Sequence, residues 1–181
     1  MVITKNEIRK TYKEIRKSIS DKKDKSISIC KKVIKSGVLD NVKVLALYSA
    51  INDEVNLSFL FEYAKTNNIT VLFPKVKNSS EMDFYEVDNL NQLHEQSFGI
   101  KEPMETSKIA SPLSIDLMIV PLLAFDENCN RLGYGKGFYD RYFKLTSRCK
   151  KVGVAYKEQT CSELKNVIND LDVPLDYVFN D

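Results

Sequence analysis

The chain has 181 residues, 43% of them hydrophobic, enough for one domain with a real core and too few for two. A net charge of +2 excludes a strongly basic nucleic-acid binder as the default. No apolar run approaches a membrane span, the first residues carry no apolar signal core, and Cys30, Cys129, Cys149 and Cys161 are scattered without a CxxC pair, which together predict a cytoplasmic protein with reduced thiols.

Residues 4–18 predict a first helix. Thr4 and Glu7 make a capping box, and Ile8, Tyr12, Ile15 and Ile19 form an apolar stripe. Lys5, Arg9 and Lys13 share a neighbouring face, which by spacing alone fits a solvated basic surface. Residues 21–36 predict a second helix, with Ile27, Cys30, Val33 and Ile34 inward and Gly37 ending it. Residues 42–48 predict a buried strand. A polar turn follows, and then a helix carrying Leu57, Leu60, Phe61 and Ala64. Ligands of open α/β sheets bind beyond the carboxyl ends of strands, so Asp53 and Glu54 stand where a substrate would. Acids at a helix start also complement its dipole, which leaves a second account of the same pair.

Residues 69–76 predict a second strand, and residues 82–87 a third toward a sheet edge. Residues 90–95 read as a short helix bearing His94, taken as a surface residue; as the only histidine it makes a zinc site unexpected. Residues 106–112 read as a surface loop, 151–156 as a strand and 163–167 as one helical turn. The alternation predicts one three-layer α/β domain over residues 1–181, Rossmann-like, with a mostly parallel central sheet flanked by helices.

The most informative stretch follows a predicted strand at 117–123. It reads AFDENCNRLGYGKGFYDRY, with alternate glycines Gly133, Gly135 and Gly137 ahead of a helix over 137–144. Glycine lets a backbone approach an anion, and a helix start offers free N–H groups. Arg131 and Lys136 add positive charge, so the loop is predicted to grip a nucleotide. It is not a Walker A element, because Gly137 and Phe138 follow Lys136 where Gly-Lys should lead into Ser or Thr. It also misses the dinucleotide fingerprint by one residue at the third glycine. A tight turn with incidental charges is the structural alternative.

The longer string is more specific. Pro121, Ala124, Phe125 and Asp126, followed by Arg131-Leu132-Gly133-Tyr134-Gly135-Lys136-Gly137-Phe138-Tyr139-Asp140, resembles the signature of the 5-formyltetrahydrofolate cyclo-ligase (methenyltetrahydrofolate synthetase) family. Leu122 and Leu123 depart from its usual small residue. The resemblance implies conversion of 5-formyltetrahydrofolate and ATP to 5,10-methenyltetrahydrofolate, ADP and phosphate, with Mg²⁺. Lys5 and Arg9 match the family's Lys-x-x-x-Arg helix, which reaches the ATP phosphates. With residues 131–139 they make up the implied ATP site. Glu54 matches the family's folate-contacting Glu, and Ser49, Phe98, Tyr134 and Tyr139 complete the implied substrate site. Phe98 begins an aromatic-x-Ile-x-x-Pro segment through Pro103; it is the stacking candidate, and core filling is the other reading of it.

Lys136, Arg131 and Glu54 are the implied catalytic residues. Asp140 and Asp170 are the implied magnesium ligands, with Asn169 standing where the family often has His. The implied partners are small molecules, with no nucleic acid or membrane, and the chain is expected to be a monomer. Two alternatives fit less of the sequence: a sugar-phosphate isomerase or deaminase using the glycine loop for a phosphomonoester, and a non-catalytic nucleotide- or RNA-binding module using the basic first helix.

Overall fold

The computed structural model describes residues 3–96, 99–104 and 106–181. Its centre is a six-stranded sheet in the order β10-β9-β6-β1-β2-β3, built from β1 (Val44–Ala46), β2 (Thr70–Val76), β3 (Met82–Glu86), β6 (Leu117–Val120), β9 (Lys150–Val154) and β10 (Tyr177–Phe179). Every pairing is parallel except that of β3, which closes one edge antiparallel to β2. The residues alternate between two cores, as strands buried on both faces require. Leu45, Val71, Leu117, Ile119 and Val152 face one side, under α2 (Lys22–Lys35) and α3 (Ser58–Thr66). Ala46, Leu72, Met118 and Val120 face the other, under α4 (Phe138–Phe143) and the closing segment of the chain. The expected α/β architecture is therefore present, with its second helical layer reduced, among the described residues, to one six-residue α-helix.

The chain steps from β1 to β2 on one side, whereas β6 joins β1 from the other and leads out to β9. Strand order thus reverses between β1 and β6, which opens a crevice beyond their carboxyl ends. The first helix, α1 (Lys5–Ser18), lies over that end. It has the expected capping box between Thr4 and Glu7. Its Ile8 packs in a third, small core with Ala124, Leu132, Cys161 and Leu164.

Several elements differ from expectation. The strand expected over 117–123 ends at Val120, and the polar turn that follows contains a hairpin of β7 (Ala124–Phe125) and β8 (Arg131–Leu132). The buried Asp126 folds it, accepting from the N–H groups of Asn128 and Asn130 at 3.0 Å and from the Asn130 side chain at 2.9 Å. His94 lies on a strand rather than a helix: β4 (Leu93–Glu95) pairs with β5 (Lys101–Pro103) as an antiparallel ribbon. Glu102 ties that ribbon to the Val76 N–H at the end of β2, at 3.1 Å. In α2 the inward residues are Ser26, Ile29, Cys30 and Val33. Ile27 and Ile34 are only partly buried.

Gln159, 1% exposed, braces the exit from β6. Its Nε2 donates to the carbonyls of Leu122 and Leu123 at 3.1 and 2.9 Å, and its Oε1 accepts from the Tyr156 N–H at 2.9 Å. Gln159→Leu keeps the volume and leaves those groups unpaired, at about 1–3 kcal/mol for each buried group stranded. Urea unfolding should show that loss without a change in slope; a midpoint within error of the parent would refute the brace.

Candidate active site

The crevice is a cleft of about 2010 Å³, larger than the roughly 300–1,000 Å³ that serves one small ligand. It has room for two substrates side by side. Its floor is the carboxyl end of the sheet, at Tyr48, Ser49, Pro74 and Pro121. Helix α1 forms one wall, the glycine loop at 133–137 another, and the β4–β5 ribbon a third.

The cations expected to meet phosphate all border this cleft, and most already hold a partner. Lys5 Nζ contacts Asp172 Oδ2 at 2.5 Å. Arg9 Nε donates to the Gly133 carbonyl at 2.9 Å, and its Nη1 donates to Asn6 at 2.7 Å. Arg131 is buried beneath the loop, donates to Asp140 Oδ1 at 2.9 Å, and lies over the Tyr139 and Phe143 rings. That arrangement makes Arg131 a clamp on the loop rather than a cation waiting for a ligand. Arg141 clamps the far end, donating to the Ser80 carbonyl at 2.7 Å and the Lys136 carbonyl at 2.8 Å. Lys136 is exposed on the cleft side, Leu132 is core, and Phe138 stacks under Arg141.

The glycines are needed for two separate reasons. Gly135 has φ +96°, and a Cβ there would stand 3.0 Å from Arg9 Cζ. Gly133 has an ordinary φ, but a Cβ on it would lie 2.9 Å from Arg131 Nη1. The loop is thus packed onto guanidinium groups from both sides. Helix α4 after it is too short to supply a strong dipole, so an anion in this loop would have to rest on backbone N–H groups and side-chain cations.

At the other end of the cleft the loop meets Glu54. The Tyr134 hydroxyl donates to Glu54 Oε1 at 2.5 Å, and the Ile51 N–H donates to Oε2 at 2.9 Å. Part of the Tyr134 ring stays open to the cleft while its hydroxyl reaches inward. Burial raises the Glu54 carboxyl above its ordinary 4.5, opposed by the Tyr134 hydroxyl, the Ile51 N–H and the Arg16 cation. Burial raises the Tyr134 and Tyr139 hydroxyls as well. Arg16, buried beside this pair, is a site residue the sequence reasoning missed. It falls four residues after Tyr12 and eight after Ile8, on the apolar stripe of α1, and a charge at a core-facing position is a signal.

Ser49 and Tyr139 also border the cleft. Phe98 lies outside the described residues. The expected pairing of Asp140 with Asp170 is not what the fold builds. Asp170 is exposed and is absent from the cleft wall, whereas Asp172 lines it. The turn is the cause: the Asn169 N–H donates to Asp172 Oδ2 at 2.8 Å and Asn169 Oδ1 accepts from the Leu171 N–H at 3.0 Å, which curls Asp172 inward and leaves Asp170 at the exposed corner. Asp140 Oδ1 accepts from the N–H of Val173 at 3.4 Å, so the acid that fronts the same end of the cleft is Asp172.

A family model described as the 5-formyltetrahydrofolate cyclo-ligase family matches residues 2–181. The chain is 35% identical over 142 residues to a 5-formyltetrahydrofolate cyclo-ligase of Mycoplasma pneumoniae, covering 77% of this chain and 74% of that one. It is 32% identical over 192 residues to a probable 5-formyltetrahydrofolate cyclo-ligase of Schizosaccharomyces pombe, covering 97% and 91%. Among solved structures it is similar to a 5,10-methenyltetrahydrofolate synthetase from Mycoplasma pneumoniae, with a TM-score of 0.81, 30% identity and 98% of each chain covered. A second, from Aquifex aeolicus, gives 0.79, 33% identity, and 97% and 89% coverage.

The raised Glu54 carboxyl has a consequence for stability. A folded-state pKa above the unfolded one means that the native protein holds this proton more tightly. The associated stability is complete below the ordinary 4.5 and is lost as pH rises through the folded-state value. Glu54→Gln removes that titration. The melting temperature of the parent minus that of the variant should therefore fall as pH rises above 4.5. A difference that stays level across the same range would show that the carboxyl is not raised.

Proposed function

The chain belongs to the 5-formyltetrahydrofolate cyclo-ligase family, and on that premise we propose that it is the ATP- and magnesium-dependent enzyme that closes 5-formyltetrahydrofolate to 5,10-methenyltetrahydrofolate, releasing ADP and phosphate. The observation that carries this reading is that one loop walls both ends of a two-substrate cleft. Gly133 and Gly135 pack against Arg9 at the cationic end, and Tyr134 between them reaches Glu54 at the other.

The chemistry asks for this arrangement. A formamide oxygen leaves poorly. Moving the γ-phosphoryl group of ATP onto it, with loss of ADP, makes it part of a phosphate that leaves well. The nitrogen at position 10 of the folate then attacks the formyl carbon and gives up its proton, and the carbon–oxygen bond breaks with phosphate. Phosphoryl transfer of this kind needs placement and charge neutralisation more than a protein nucleophile. Lys5, Arg9, Lys136 and the loop amides would hold the triphosphate, Lys5 exchanging Asp172 for phosphate oxygen as the nucleotide arrives. Arg131 would keep the loop in shape from beneath. Glu54 with the Tyr134 hydroxyl offers a fixed polar edge to the pterin, and Ser49 and Tyr139 border its rings.

Among the described residues no group of three or more His, Cys, Asp and Glu is placed to hold a metal by itself. The acids fit an ion that arrives on the nucleotide, since magnesium usually takes one or two carboxylates and fills its remaining positions with phosphate and water oxygens. Arg131 and the Val173 N–H both approach Asp140 through Oδ1, which leaves Oδ2 for such an ion. Asp172, freed when Lys5 turns to phosphate, is the second candidate in place of Asp170. Bound magnesium supplies neutralisation of charge on the transferring phosphoryl group.

The ultraviolet band of the methenyl product provides the assay. Product should form only with ATP and magnesium together. Asp140→Asn and Asp172→Asn should lose roughly tenfold or more in turnover and regain part of it at raised magnesium, while Asp170→Asn stays near the parent. Equal rates with and without ATP would sink the reaction. An unaltered magnesium dependence in both damaging variants would sink the metal assignment.

A further inference from the structure

The buried residues of α1 are Ile8 and Arg16. A guanidinium at 4% exposure is expensive for a helix that could have carried leucine there, because burying charge costs more than its pairing usually returns. Its contacts say what it is for. Nη2 donates to the Tyr134 hydroxyl at 2.7 Å, and Nη1 donates to the Leu122 carbonyl at 3.4 Å and stands 3.9 Å from Glu54 Oε1. The guanidinium carbon lies 5.6 Å from the centre of the Tyr134 ring. Those three partners belong to three separate segments of the cleft wall: the glycine loop, the exit from β6 and the turn after β1.

We propose that Arg16 is a positioning residue for the folate end of the cleft, holding the Glu54 carboxylate and the Tyr134 hydroxyl as one unit so that both loops meet substrate in fixed register. This rests on the cyclo-ligase reading for its substrate, though not for the geometry. The planar fork reaches the hydroxyl from one nitrogen and the carbonyl and carboxylate from the other in a fixed geometry, whereas a lysine's three donors converge on one freely rotating nitrogen. The groups facing Glu54 are Arg16 from α1, Tyr134 from the glycine loop, Tyr48 from the end of β1 and Tyr139 from α4. Arg16 is the one cation acting on Glu54 in this set, so its removal should push the Glu54 carboxyl further up.

The test uses the full chain with Arg16→Ala and Arg16→Lys. The Glu54 carboxyl is titrated by carbon NMR, assigned with Glu54→Gln, and steady-state constants are measured with each substrate varied in turn. In Arg16→Ala the Glu54 midpoint should rise, and kcat/KM for 5-formyltetrahydrofolate should fall roughly ten- to a hundredfold, the loss of one charge-assisted hydrogen bond, while KM for ATP stays within about twofold. Arg16→Lys should bring the Glu54 midpoint back and restore kcat/KM only in part. An unmoved midpoint in Arg16→Ala would overturn the proposal, as would a KM for ATP raised as much as kcat/KM for 5-formyltetrahydrofolate is lowered. If Arg16→Ala does not fold, parent-like kinetics in Arg16→Lys would overturn it. Should the parent make no methenyl product, the reaction assignment fails, while the Glu54 titration still decides whether Arg16 governs that carboxylate.

Discussion

The glycine loop cannot hold its own shape, and the site depends on what holds it instead. Alternate glycines give a chain with few steric limits, the hairpin before it is two residues on each strand, and the helix after it is six residues long. Four arginines take over. Arg9 grips the Gly133 carbonyl from α1, Arg16 takes the Tyr134 hydroxyl from inside the core, Arg131 pins Asp140 from below, and Arg141 holds the Lys136 carbonyl at the far end. Each is charge-assisted or directed at a backbone carbonyl, so a loop with high conformational entropy is held at a small number of strong points.

The same economy explains why so much charge borders the cleft while the net charge stays at +2. Lys5 rests on Asp172 and Arg131 on Asp140. Those two pairings offset part of the positive charge at the cationic end, which lowers mutual repulsion among its cations. Of the two paired cations, only Lys5 stands where an incoming polyphosphate would claim it, and Asp172 holds it in place until then. Exchange of one partner for another costs less than stripping water from a bare ion, because the cation is already partly desolvated and already aimed.

Much of this was legible in the sequence, for identifiable reasons. The capping residues and stripe fixed α1 locally, apolar runs marked the parallel strands, and β3 lies at the sheet edge where it was expected. What escaped depends on partners far away in the chain. Strand β10 exists because β9 offers it a ladder, and nothing in the tail itself announces this. The β7–β8 hairpin hides in a polar turn because Asp126 spends its side chain on backbone N–H groups that a strand pattern does not reveal. Asp170 and Asp172 differ by two positions, and only the turn at Asn169 decides which of them faces the cleft. In Arg16 a polar residue type outweighed its position on the helix, although the position was the better guide.

The contact between Gly135 and Arg9 bears on how such a site can vary over evolutionary time. The two residues lie far apart in the sequence, yet a Cβ at position 135 would press on the Arg9 guanidinium at 3.0 Å. The limit runs one way, from position 135 onto the Arg9 side chain. Shortening position 9 would relieve the crowding but not the backbone, because a φ of +96° strains any side chain at 135 whatever the space beside it. A shortened position 9 also gives up its hold on Gly133. Position 135 should therefore stay glycine even where position 9 varies.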